Sequence, residues 1–499
     1  DEERSRLHGP AGRLVVPRTG ERHGREERFL FSLARASGRK RLVLLAAARE
    51  IATDRPRLLS PFLLDLLPEG TRRTLLSREL GEESEPLVGN VEWLPAGRVP
   101  ADGPPLDGDE ALRRLLTEAP ALARELPDVA GQLDRALRRG RSRALRRFTA
   151  YEGRIGRPVA TLAISGPILS ASRLERLSQC AYRSFLEHAL GLPAAPDADA
   201  DGIFALDPVE RGNAVHAALR DLTRKLAASK RSFTDLGREE IEKTASDAAR
   251  EAVAAAVSSR RATPPPVLVD VEERRLRFLL LGLLDYLASS PAGLPPAGAE
   301  VRFGPQNLDP ADRDDDPVLF TDTPVTVPGL PFPAKLRGRI DRLDLGDGCA
   351  LVVDYKTGKP APYGKENRGR KLVAAGERLQ LPVYALAARL LGATAVESEY
   401  LFVEETAGEK SVVTPHHFDE STTDAAVAAL RDVLVLLDEA IRAGLLFPKT
   451  KSLRTSDLCR SCDFAPVCGP GHRRVYERKW SGEARGGALH PLARLGEIP

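Results

Sequence analysis

The chain has 499 residues, 42% hydrophobic and 29% charged, enough for two to four domains of a soluble protein. Its longest apolar runs, Leu276 to Leu287 and Val433 to Leu437, are broken by charge or too short to cross a bilayer, which argues against a membrane role. A net charge of +3 neither demands nor excludes nucleic acid, and five unevenly spaced cysteines are too few for a disulfide framework; they point to a reducing, cytoplasmic compartment and to metal or cluster chemistry.

The first residue is Asp1 and there is no methionine, so the stretch is expected to begin inside a longer reading frame. Up to about Leu67 the pattern reads helix, strand, helix: Phe29, Leu33 and Ala36 have helical spacing, and Leu42 to Leu45 form a short apolar strand. Residues 68–160 are helix-rich and broken by the turn-laden "PAGRVPADGPPLDGDE". Ser172 with Glu175 three residues later predicts a capping box, opening a helix that turns Leu174, Leu177, Tyr182, Phe185 and Leu186 inward. An interrupted helical stretch is expected from about Val209 to Leu287. Beyond the Pro-rich "SSPAGLPPAGAE" come strands near Glu300 to Phe303 and Val325 to Val327, a hairpin, a helix from Glu377 to Leu391, a strand from Ser398 to Val403 and a helix from Asp424 to Ala443. Strands alternating with helices make this part an α/β domain with a mixed sheet.

The hairpin carries the chemistry. Arg337 to Leu345 and Cys349 to Tyr355 are strand-like, and Asp347-Gly348 is a strong two-residue type I′ turn signal. A turn centred there places Asp341 directly across from Asp354. Opposed carboxylates are destabilising unless something positive lies between them. A hard divalent cation such as Mg²⁺, which takes oxygen ligands, would fit; a solvated acidic pair on a surface hairpin is the plain alternative. Lys356 projects from the same face as Asp354, where an ammonium could orient a water for attack on a phosphodiester and neutralise developing charge.

The segments "SASRLERLSQCAYRSFLEHALGL", "RGNAVHAAL", "GRIDRLDLGDGCALVVDYKTGK" and "QLPVYALAARL" resemble, in order and spacing, the PD-(D/E)XK nuclease domain of RecB-like and AddB-like recombination proteins, over roughly residues 165 to 475. The resemblance implies a restriction-endonuclease-like mixed sheet wrapped by helices. It also implies that Asp341, Asp354 and His216 bind Mg²⁺ or Mn²⁺ with the backbone carbonyl of Tyr355, that Lys356 is the catalytic lysine, and that Gln380 and Tyr384, one helical turn apart, line the DNA cleft. Histidine stands here for the signature's usual first acidic residue, as in the RecB-like branch; Glu300 is an extra acidic candidate. Taken alone, His216 reads as an ordinary histidine.

Cys459, Cys462 and Cys468 form a C-x2-C-x5-C cluster, and Cys180 lies far upstream. Four thiolates could staple the beginning of the domain to its end, around an iron–sulfur cluster or tetrahedral zinc, between which ligand identity does not decide. The AddB-like resemblance implies a structural [4Fe-4S] cluster, with Zn²⁺ as the alternative. Cys349 is left over and reads as packing.

Seven arginines between Arg135 and Arg147 read as a solvated helix face or a phosphate contact. Tyr476 and Trp480, in "HRRVYERKW", could stack on unpaired bases. The opening "REERFLFSLARASGRKRLVLL" resembles the last helicase motif of the UvrD-like superfamily, with Arg35 at the nucleotide-contacting position. No G-x4-G-K-[ST] loop occurs in these 499 residues, so ATP hydrolysis is not expected. The expected division is a helicase-like end at 1–67, a connector at 68–160, the nuclease domain with its staple at 161–480 and a tail at 481–499. The function expected is Mg²⁺-dependent hydrolysis of DNA, as a single strand at a duplex end, by an AddB-like subunit working with a helicase partner during double-strand-end processing. A free-standing CRISPR-adaptation-type exonuclease and a non-catalytic DNA-binding scaffold are the competing readings.

Overall fold

A computed structural model describes most of residues 127–499, apart from 194–205, 207, 259–263, 291–292, 306–315, 317, 359–370, 407–409, 452–457, 461, 470 and 486–490, together with positions 28–33, 36, 62, 66 and 118–119. Arg35, the strand expected at Leu42 to Leu45 and most of the connector lie outside the described residues. Two compact units are distinguished, residues 1–137 with 469–471, and residues 138–468 with 472–499. The sheet and the candidate site belong to the second.

The Asp347-Gly348 pair fixes the centre of the fold. Both residues have positive φ, 49° and 79°, as a type I′ turn requires, and they join β4 (Lys335–Gly346) to β5 (Cys349–Lys356). The antiparallel ladder runs from Gly346↔Cys349 to Arg342↔Val353, so Asp341 and Asp354 occupy the next opposed positions, as the turn predicts. There the ladder stops. The Tyr355 amide donates to Asp341 Oδ2 at 2.9 Å instead, and the two strands part around the carboxylates.

The sheet runs β1 (Ile168–Ser170), β4, β5, β6 (Ala395–Thr406), β7 (Lys410–Phe418), with β2 (Pro296–Phe303) and β3 (Val325–Thr326) also pairing β4. β5 pairs β6 in parallel, whereas β4–β5 and β6–β7 are antiparallel. Side chains alternate between two apolar cores. Val353 and Tyr355 face a core built with α3 (Pro208–Ser229), α4 (Arg238–Ser258) and α5 (Pro266–Ser289), while Ala350 and Val352 face one built with α2 (Ala171–Gln179), α6 (Gln380–Leu390) and α7 (Glu420–Arg442). Asp354 and Lys356 continue the Ala350–Val352 face, so both point toward α6. On α5, Leu276, Leu279, Leu280, Leu283, Leu284 and Leu287 recur at helical spacing and are buried, each contributing about 1.5–3 kcal/mol by leaving water.

Several expectations need correction. The N-cap of α2 is Ser170, whose side chain accepts from the Arg173 amide; Glu175 does not close a capping box but accepts the Leu379 amide at 2.7 Å. The α6 helix begins at Gln380 rather than Glu377, because Glu377 and Arg378 still belong to the preceding turn, donating their amides back to the Ala374 and Val373 carbonyls, and Leu379 is the N-cap. β7 was not anticipated. Cys349 is exposed at the hairpin turn rather than packed.

Candidate active site

The gap between β4 and β5 collects side chains from five elements, α3, β2, β4, β5 and α6. His216, on α3, places Nε2 3.2 Å from the Tyr355 carbonyl oxygen and Nδ1 3.5 Å from Asp341 Oδ2 and 3.9 Å from Glu300 Oε1. One ligand atom from each of His216, Glu300 and Asp341 lies within 4.8 Å of the others, a donor set suited to a divalent cation. Asp354 is fully buried beside them. The Lys356 ammonium lies against Asp354 Oδ2, while Oδ1 has no hydrogen-bond partner among the described residues. An orphaned carboxylate oxygen in a buried acidic pair fits a site built for a cation. Lys356 Nζ also donates to Gln380 Oε1 at 2.8 Å, which fixes the ammonium between strand and helix. Tyr384 is buried with its ring edge-on to Phe303, and its hydroxyl lies 3.5 Å from Gln380 Nε2.

Glu300 earns its place through its backbone. In the β2–β4 register, where Ala299 pairs Arg342 and Val301 pairs Ile340, it stands opposite Asp341 but has a φ of 54°. Its carbonyl accepts the Asp316 amide at 3.1 Å. A left-handed glutamate inside a strand is strained, and a strand pattern gives no sign of it. Arg339, which the sequence did not single out, pairs with Glu300 Oε2 at 3.2 Å.

The electrostatics match the geometry. Burial, and then the charge of Asp354, push the Asp341 carboxyl well above the usual carboxylate range, against the opposing effect of His216 and Lys356. For His216, burial opposes the charged form, but the hydrogen bond with Glu300 and the charges of Asp341 and Asp354 outweigh it, raising the imidazole to about 9. An imidazolium and an ammonium thus supply the positive charge that the carboxylates need.

Residues 168–469, more than half of the chain, match the PD-(D/E)XK nuclease superfamily. The chain belongs to this superfamily. Its α/β sheet with flanking helices is accordingly the restriction-endonuclease-like fold of PD-(D/E)XK nucleases. It is also similar to ATP-dependent helicase/deoxyribonuclease subunits of the AddB type from Geobacillus kaustophilus (strain HTA426) and Geobacillus thermodenitrificans (strain NG80-2), at 26% identity over 194 residues in each case. Those stretches cover 38% of this chain and only 15% of each relative. No helix among the described residues is long and apolar enough to cross a membrane.

Away from this centre, Cys180, Cys459, Cys462 and Cys468 all line one cavity, together with Lys449, Phe464 and Tyr476. Cys180 Sγ accepts two backbone amides, from Arg183 and Lys449, each at 3.5 Å. Burial, then the neighbouring Cys180, raises the Cys468 thiol to about 12; burial likewise raises Cys462. Four soft donors lining one cavity, one of them accepting amide hydrogens, are the ligand type for a thiolate-bound cluster, although no three of the sulfurs lie within 4.8 Å of one another. Tyr476 is buried beside Cys468, and Trp480 packs edge-on against Phe148 and Phe447 with Nε1 donating to the Pro448 carbonyl at 2.8 Å. Both rings are therefore committed to packing rather than offered to unpaired bases. Arg139, from the arginine-rich helix Pro127–Ala144, donates to the carbonyls of Val467 and Cys468.

Proposed function

We propose that this nuclease domain hydrolyses DNA phosphodiesters with Mg²⁺ or Mn²⁺, as an exonuclease within an AddB-like helicase–nuclease subunit. Its substrate in this reading is a single strand delivered by a helicase partner in the cytoplasm, during processing of double-strand ends for recombinational repair. The observation that carries it is the convergence of His216, Glu300, Asp341 and the Tyr355 carbonyl beside a buried Asp354 with one unsatisfied oxygen.

Asp341, Asp354, His216 and the Tyr355 carbonyl would hold the divalent ion, with Glu300 close enough to join them. When bound, the ion supplies positive charge against the scissile phosphate and makes a water acidic enough to attack. Lys356 is anchored by Asp354 and Gln380, so its ammonium is already in place where charge develops on the phosphate, without reorganisation during the reaction. Gln380 holds the lysine and faces the DNA in this reading, while Tyr384, expected to line the cleft, is buried against Phe303 and serves instead to hold Gln380. Cys180, Cys459, Cys462 and Cys468 are read as ligands of a [4Fe-4S] cluster, with Zn²⁺ as the alternative, joining the start of the nuclease domain to its end. This assignment is supported by the shared cavity and the amide contacts to Cys180.

Digestion of end-labelled single strands tests the proposal. Wild-type protein should degrade them only with Mg²⁺ or Mn²⁺, and Lys356→Ala should not, while still binding DNA. A wild type inert with either ion, or a Lys356→Ala variant that cuts equally well, overturns it. Iron and zinc analysis of the purified protein decides between cluster and zinc.

A further inference from the structure

Gln380, which anchors Lys356, follows a segment that does not hold itself in place. Ala374, Ala375 and Gly376 have consecutive left-handed φ values of 46°, 55° and 83°. Alanine in that region is strained and persists only where surrounding contacts over-determine it. Some of those contacts come from the chain's last residues, since the amides of Val373 and Ala374 donate to the Pro499 carbonyl and that of Ala375 donates to Ile498. Two others come from segments that lead into the cysteine cavity. Glu175, on the helix that ends at Cys180, accepts the Leu379 amide at 2.7 Å. Lys449, which lines the cavity, donates its backbone N–H to Cys180 Sγ at 3.5 Å and its ammonium to Glu377 Oε1 at 2.8 Å. Glu377 is fully buried. Both ties land within three residues of Gln380.

We infer that Lys449 is a positioning residue that couples the four-cysteine cavity to the nuclease centre. Its amide reads the sulfur of Cys180, and its ammonium sets Glu377 and with it the Gln380–Lys356 contact. The inference rests on the nuclease reading proposed above. A metal in the cavity would fix the Cys180 sulfur and so the Lys449 backbone; an empty cavity leaves that end of the tie loose. The state of the cavity then decides how well Lys356 is held beside Asp354. The Lys449 ammonium is paired with Glu377 rather than with any residue of the candidate ion site, so its effect on that site passes through Glu377.

The test compares wild type, Lys449→Met, Lys449→Arg and Glu377→Gln by cleavage of a single-stranded oligonucleotide, by Mn²⁺ affinity in electron paramagnetic resonance, and by iron and zinc content. Outer-shell partners are worth about 10- to 100-fold in activity or metal affinity, so Lys449→Met and Glu377→Gln should each lower kcat at least about 10-fold, with KM for DNA within about 2-fold. Their double variant should be no worse than either, because the two residues act as one unit. Lys449→Arg should recover most of the loss. In wild type, stripping the cavity with a chelator and restoring Mn²⁺ should lower kcat with Mn²⁺ affinity and KM unchanged, whereas in Lys449→Met the loaded and stripped forms should cut alike. Equal kcat of loaded and stripped wild type, additive losses in the double variant, or a KM effect without a kcat effect overturns the coupling while leaving the nuclease reading intact. Wild type that neither binds Mn²⁺ nor cuts overturns both.

Discussion

Replacing Lys356 with methionine separates the chemistry of the centre from its stability. Methionine keeps most of the stem's bulk but removes the ammonium that contacts Asp354 Oδ2 and donates to Gln380. Two costs follow. The Lys356 side chain is 24% exposed and its partner 1%, so the pair is largely desolvated, and losing a hydrogen bond to a charged group there costs about 1.5–3 kcal/mol of stability. The second cost is catalytic: removing one preorganised charge that faces the reacting phosphate lowers kcat by about 10²–10³, or roughly 2.7–4 kcal/mol of barrier. Mn²⁺ binding should survive and tighten slightly, because Lys356 is not among the proposed ligands and a competing positive charge is gone. Single-turnover cleavage of an end-labelled strand across a Mn²⁺ titration up to saturation, with a thermal melt on the same samples, reads all three. A cleavage rate within tenfold of wild type at saturating Mn²⁺ would remove Lys356 from the mechanism; loss of Mn²⁺ binding would mean that the lysine builds the ion site rather than serving the reaction.

Proton linkage gives a further expectation. With His216 raised to about 9 and Asp341 also raised, protons must leave as a cation enters, so Mn²⁺ affinity should climb from neutral pH toward about 9, and calorimetry in two buffers of different ionisation heat should show proton release. An affinity flat over that range contradicts it. Cys180→Ala should lose the bound iron or zinc and increase protease cleavage of the domain, whereas unchanged metal content and resistance would refute the staple. Tyr355→Phe leaves a buried Arg342 donor without its hydroxyl partner at 3.2 Å and should cost about 1–3 kcal/mol by denaturant titration. Gly153→Ala should unfold the protein or destabilise it strongly, because φ is 88° and a Cβ would sit 2.0 Å from the Leu446 carbonyl oxygen.

What the sequence made legible was local. Asp347-Gly348 supplies the two left-handed positions of a type I′ turn, so the opposition of Asp341 and Asp354 followed from counting. Lys356 followed from strand alternation, and the cysteine quartet from one tight spacing and one distant partner. What stayed hidden depended on tertiary contacts. Ser170 and Ser172 are both plausible N-caps, and only the fold diverts Glu175 to the Leu379 amide. β7 contains Pro415 and His416-His417 in place of clean apolar alternation, which an edge strand tolerates and a pattern search misses. The Lys449–Glu377 contact joins residues 72 positions apart, with no spacing rule to suggest it.

Tyr355 explains how the centre can be both buried and highly charged. Its amide holds Asp341, its carbonyl faces His216, and its hydroxyl accepts from Arg342 on the opposite side of the sheet. Arg342 is itself held by Asp344, with its guanidinium 4.8 Å from the centre of the Phe233 ring. One residue therefore spans the sheet, with its backbone serving the acidic face and its side chain locked into a neutral, fully bonded network behind it. Like charges pressed together need a rigid frame, since any slack would let Asp341 and Asp354 swing apart instead of waiting for a cation. Here the frame comes from the back of the strand, so the front can keep an unsatisfied oxygen on Asp354 and a strained Glu300 without the sheet giving way.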